Sequence, residues 1–104
     1  MSDTTLDDFK KFLGSTDKPV LVMFSSSWCS PCKQLKPIFI EASKSTTKAV
    51  FVGVDIEDGH EIASEYKVSR IPIIKVFSKG VEIDSMSGSN DTMFKKLVSK
   101  HTSN

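Results

Sequence analysis

The chain has 104 residues, 38% of them hydrophobic, and its 14 basic and 13 acidic side chains leave a formal net charge of +1. That length supports one core and is too short for two ordinary domains, so a single domain spanning 1–104 is expected. Charge of both signs is spread along the chain and no apolar run approaches a membrane span, which disfavours nucleic acid and membrane as partners.

The start, Met1-Ser2-Asp3-Thr4-Thr5, is polar and lacks a basic segment followed by an apolar one. The expectation is a soluble, cytoplasmic monomer. Thr5 with Asp8 three residues on resembles a weak capping box, and Leu6, Phe9 and Leu13 follow at helical spacing until Gly14. Pro19 introduces Val20-Leu21-Val22-Met23-Phe24, an apolar run without alternation that predicts a central strand buried on both faces. Leu35, Ile38, Phe39 and Ala42 form one stripe of a helix from about Ser30 to about Ser45, with a kink expected at Pro37, which has no N–H to donate. Val50, Val52, Val54 and Ile56 alternate as a second strand, completing a parallel βαβ unit, and Ile62, Ala63 and Tyr66 suggest a short helix after Gly59. Ile73 to Phe77 and Val81 to Met86, joined by Ser78-Lys79-Gly80, read as a hairpin; Met93, Phe94, Leu97 and Val98 mark a closing helix.

The only two cysteines lie in Trp28-Cys29-Ser30-Pro31-Cys32-Lys33, where the first strand gives way to the long helix. A disulfide between them would close a loop too small to constrain much of the unfolded chain, so a structural staple is disfavoured. At a helix N-terminus the unpaired N–H groups and the positive end of the macrodipole favour an anion, so Cys29 should ionise more readily than a free thiol and serve as the nucleophile. Two cysteines in a reducing compartment are more often catalytic or metal-binding than structural.

This element order around a Cys-x-x-Cys resembles the thioredoxin family over nearly the whole chain. The matching positions are Phe24, Trp28, Cys29, Cys32, Pro37, the Ile71-Pro72 pair, Gly80 and Gly88. The resemblance implies an α/β thioredoxin fold: a mixed sheet of about four strands with helices on both faces. It also implies a protein-disulfide reductase that needs no bound cofactor. Cys29 and Cys32 would cycle between dithiol and disulfide, with NADPH-dependent thioredoxin reductase as electron donor and disulfide-containing proteins such as peroxiredoxins as substrates. An acidified thiol and a reducing couple are standard properties of thioredoxins. By the same resemblance the Ile71-Pro72 bond is cis and lies beside the cysteines, the Ile71 backbone pairs with substrate, Trp28 contacts it, and Ser30 and Pro31 tune the redox balance. The plainer alternative for Pro72 is the first residue of an edge strand.

Several residues depart from the family pattern. Met23 stands where many thioredoxins bury an aspartate that aids proton transfer from the second thiol, and Gly53 stands at a nearby lysine position; water is expected to take the proton instead. Ser30 replaces a usual glycine and Ile73 a common threonine. Arg70, Lys33 and Lys36 read as solvated, and Asp55, Glu57 and Asp58 as a hydrated loop. His60 and His101 read as surface residues, with no acid–base role. A zinc site would have only half its ligands in one chain, so no metal is assigned. A redox-inert adaptor and a protein-disulfide oxidase or isomerase remain as alternatives. The polar start also predicts no additional N-terminal strand, hence four strands in the order 50–56, 20–25, 73–78, 81–86, with the last two antiparallel to their neighbours.

Overall fold

The computed structural model describes residues 5–103. Helix α1 (Leu6–Gly14) begins at Thr5, whose Oγ1 accepts the Asp8 N–H at 3.1 Å, so the half-box seen in the sequence is a working cap. Strand β1 (Val20–Ser25) leads into α2 (Ser30–Ser45), which continues through Pro37 as one helix. Strand β2 (Val50–Asp55), helix α3 (His60–Glu65), strands β3 (Ile73–Ser78) and β4 (Val81–Ser87) and helix α4 (Asp91–Thr102) complete the order. Asn90 caps α4 by accepting the Met93 N–H at 3.0 Å. The expected absence of a strand in residues 1–4 lies outside the described residues.

The sheet order is β2-β1-β3-β4, with β1 and β2 parallel and the other two pairs antiparallel. This is the expected arrangement, and it makes β1 one of the two inner strands: Val20 through Phe24 are all buried. The hairpin is tighter than the sequence suggests. Ser78 pairs with Val81, leaving a two-residue turn in which Lys79 (φ 51°) and Gly80 (φ 86°) both take left-handed conformations. Such a turn matches the right-handed twist of the strands, and glycine at its second position removes one steric cost.

Alternation divides the sheet between two apolar layers. Leu21, Met23, Ile74 and Val76 face α2 and α4, where Phe39 stacks edge-on against Phe51 and beside Phe94. Val20, Val22, Phe24 and Phe77 face α1 and α3, where Tyr66 lies between Phe9 and Phe77. No helix of the described residues is long and apolar enough to cross a membrane. The first layer matters most for function, because both cysteines belong to it.

Candidate redox site

After β1 ends at Ser25, the chain turns through Ser26, Ser27 and Trp28 and reaches Cys29, which is the N-cap of α2 rather than part of its first turn. Its Sγ accepts the Cys32 N–H at 3.2 Å, the place an Asp or Ser oxygen usually takes at a helix start. Ser30 and Pro31 occupy the next two positions, both exposed; proline there forfeits only an N–H that a helix start leaves unpaired. Cys29 and Cys32 are joined by a disulfide, with their Cα atoms 5.3 Å apart. Cys29 is 6% exposed and Cys32 2%, so the first sulfur is the more accessible.

This geometry supplies what a Cys29 thiolate needs. Opening the disulfide leaves the Cys29 sulfur at the positive end of a 16-residue helix with an N–H already directed at it, and no acidic residue lies in that helix's first turn to oppose the charge. Lys33, Lys36 and Arg70 are exposed, as read from the sequence.

Around the pair, Trp28 is 66% exposed, a large apolar surface left in water next to the sulfurs. Ile71 packs against the cluster containing both cysteines, and Pro72 behind it is fully buried, with its C=O accepting the Gly88 N–H at 3.0 Å. The Ile71-Pro72 bond is cis. The edge-strand alternative for Pro72 fails, because β3, which it precedes, runs between β1 and β4. Among the described residues no partner engages the Ile71 backbone N–H or C=O. The structure thus gathers Trp28, Cys29, Ser30, Pro31, Cys32, Ile71 and Pro72 at one end of the sheet.

Met23 is 3% exposed and shares the cysteines' cluster, in register with Gly53 on β2. A side chain at Gly53 would meet open space, and a cavity of about 390 Å³ opens there, lined by Met23, Phe39, Gly53, Asp55 and Asp58 among others. Sequence reading did not find this cavity, since it depends on how far α2 stands from β2. Nor did it find Ser26, whose hydroxyl is buried without a hydrogen-bond partner among the described residues. Asp55 and Glu57 do form an exposed turn, in which Asp55 Oδ1 accepts the Glu57 N–H at 2.8 Å.

One surface assignment is corrected. His60 is exposed at the start of α3, but His101 is only half-buried surface: its Nε2 lies 2.8 Å from Asp84 Oδ2, and Lys100 Nζ reaches the same oxygen at 3.0 Å. Those bonds, His101 first and Lys100 next, hold the Asp84 carboxyl down from 3.8 to about 2. A β4–α4 pairing 17 residues apart has no local sequence signal. No three His, Cys, Asp or Glu side chains gather into a metal-holding group among the described residues.

A mixed four-stranded sheet covered on both faces, with a cysteine pair capping the helix after its central strand, defines an α/β thiol-disulfide oxidoreductase. Comparison with known proteins is specific. The thioredoxin family profile matches residues 1–100. Thioredoxin 1 of Plasmodium falciparum is 36% identical over 87 residues, 84% of each chain, and thioredoxin of Equus caballus is 40% identical over 83 residues, 79% of each. Among solved structures, oxidised thioredoxin from Plasmodium falciparum superposes with a TM-score of 0.87 at 30% identity, covering 99% of this chain and 96% of that one. Thioredoxin of Malassezia sympodialis also gives 0.87, at 31% identity over 93% and 88% of the two chains. The chain belongs to the thioredoxin family, and its cysteine pair gives it a dithiol/disulfide redox function on disulfide-containing proteins.

Proposed function

We propose that the chain is a general protein-disulfide reductase in which Cys29 attacks and Cys32 resolves. The Cys29 thiolate displaces one sulfur of a partner's disulfide, which leaves as thiolate, and forms a mixed disulfide with the other. Cys32 then gives up its proton and attacks Cys29 Sγ, closing the internal disulfide and releasing the second partner sulfur as thiolate. Two electrons pass to the partner. Trp28 and the Ile71 backbone hold an extended segment of the substrate, the latter as an added strand, with Pro72 fixing that ledge; Ser30 and Pro31 set the redox balance of the first turn. The electron donor is NADPH-dependent thioredoxin reductase, peroxiredoxins are among the substrates, and the setting is the cytoplasm, where the pair serves electron transport and redox homeostasis.

The observation carrying this reading is the Cys32 N–H at 3.2 Å from Cys29 Sγ, which gives the outer sulfur an anion-stabilising cap and leaves the inner one as resolver. Insulin-disulfide reduction driven by NADPH and thioredoxin reductase tests it. The wild type should turn over repeatedly, and Cys32→Ser should stop at a mixed disulfide trapped on Cys29. Absence of turnover by the reduced wild-type chain, or trapping on Cys32 in a Cys29→Ser variant, overturns the assignment.

A further inference from the structure

The two edges of the sheet are treated differently. At β4 the register shifts between Val76 and Phe77, a bulge that places Ile83 out of step, and Glu82 and Asp84 bring carboxylates to that strand. Bulges and charges of this kind keep an edge from pairing with another chain. At β2 the register with β1 is unbroken from Val20↔Val50 to Ser25↔Asp55, and Val50 to Val54 contain no charge and no proline. Among the described residues no strand lies beyond it.

The direction of its free groups follows from two bonds. The Val50 N–H donates to Pro19 O and the Ile56 N–H to Ser25 O, both at 2.9 Å, so the even-numbered residues turn toward β1. By alternation, Phe51, Gly53 and Asp55 present N–H and C=O outward. An incoming strand must set its own outward residues against these.

We propose that β2 pairs antiparallel with β2 of a second copy of this chain about a two-fold axis at Val52, joining two four-stranded sheets into one of eight. In that register Phe51 opposes the partner copy's Gly53 and vice versa, and all four are outward residues that exchange backbone hydrogen bonds. Phe51 lies on the α2 face of the sheet, and the space a side chain would take at Gly53 is open at the mouth of the 390 Å³ cavity. Each phenyl ring therefore covers the other copy's glycine. Charge selects the same arrangement. Lys44 and Lys48 precede the strand and Asp55, Glu57 and Asp58 end or follow it, so an antiparallel copy sets basic ends against acidic ones, whereas a parallel strand of the same kind sets like against like. A two-fold interface needs such self-complementarity. The redox loops, at the carboxyl ends of the β1 strands, emerge at opposite ends of the joined sheet.

Sedimentation of the full chain, reduced and oxidised, from micromolar to millimolar concentration tests the proposal. The wild type should pass from monomer to dimer in both redox states. Gly53→Lys, which enters open space and puts a cation at the pairing edge, should weaken association by about tenfold or more while leaving the circular dichroism and thermal transition native-like. Hydrogen exchange supplies the second readout: protection of the Phe51 and Gly53 amides should rise with protein concentration. A chain that stays monomeric at millimolar concentration overturns the proposal, as does a dimer unaffected by Gly53→Lys. So does protection of those amides that ignores concentration, because another segment of the same chain would then cover the edge.

Discussion

Met23→Asp places a carboxyl group in the buried cluster that holds the cysteines and separates the cost of burying it from its use in catalysis. Met23 is 3% exposed, so the substitution forfeits most of a methionine's burial, about 1.5–3 kcal/mol. The new carboxyl replaces apolar contacts in a cluster shared with Leu21, Leu35, Phe39 and both cysteines. Its pKa should rise through desolvation. Even neutral, an imperfectly paired polar group there costs about another 1–3 kcal/mol, so the chain should lose roughly 3–5 kcal/mol overall. The cavity beside Gly53 moderates this by admitting water to one side of the site. A carboxyl titrating near neutrality is also a good proton acceptor, and general-base assistance is worth about a hundredfold or more when well placed. Resolution of a mixed disulfide at Cys29 should therefore speed up by roughly tenfold to a hundredfold at pH 7, followed by stopped-flow release of a chromogenic thiol. Met23→Leu is the control and should change neither quantity much. Unaltered resolution in a folded Met23→Asp chain would refute the reasoning that proton removal from Cys32 is limited by the missing carboxylate.

Trp28→Ala removes a side chain that is 66% exposed, so stability should change by less than about 0.5 kcal/mol, while KM for a protein disulfide should rise several-fold and KM for a small disulfide should not. Equal effects on both substrates would argue against a docking role. Ser26→Ala removes a buried, unpartnered hydroxyl and should leave stability unchanged or raise it by about 1 kcal/mol in chemical denaturation; a clear loss would mean the hydroxyl has a partner in solution. The Asp84 carboxyl is held low in the folded chain, so its ion pairs contribute above its unfolded value of 3.8 and are lost as pH falls toward about 2. After allowance for solvent screening that contribution is about 1 kcal/mol, and Asp84→Asn should flatten the stability-against-pH curve in this window; an unchanged curve would place the acid sensitivity elsewhere.

Much of the fold was legible because its signals are local. The unalternating run Val20 to Phe24, the stripe from Leu35 to Ala42 and the cap at Thr5 depend on neighbours within a few residues, and the elements lie where these signals put them. The redox pair was legible for the same reason: a strand-to-helix junction and the spacing of two cysteines are properties of a short segment. By contrast, the hidden hydroxyl of Ser26, the Asp84–His101 contact and the opening beside Gly53 required distant segments to be brought together.

The amino-acid order by itself determined that Cys29 would lie at a helix N-terminus and that Cys32 would follow about one turn along, since helical geometry relates residues three apart whatever surrounds them; that Cys29 caps the helix through its sulfur was seen only in the structure. Only the tertiary structure decided that Ile71, about forty residues later, packs against the cluster that holds those sulfurs, and that Met23 belongs to the same cluster. It also decided that one sheet edge is bulged and charged while the other is smooth. Such relations are set by strand order and layer spacing, which arise from burying apolar faces of the whole chain at once and leave no periodicity in any one stretch of it.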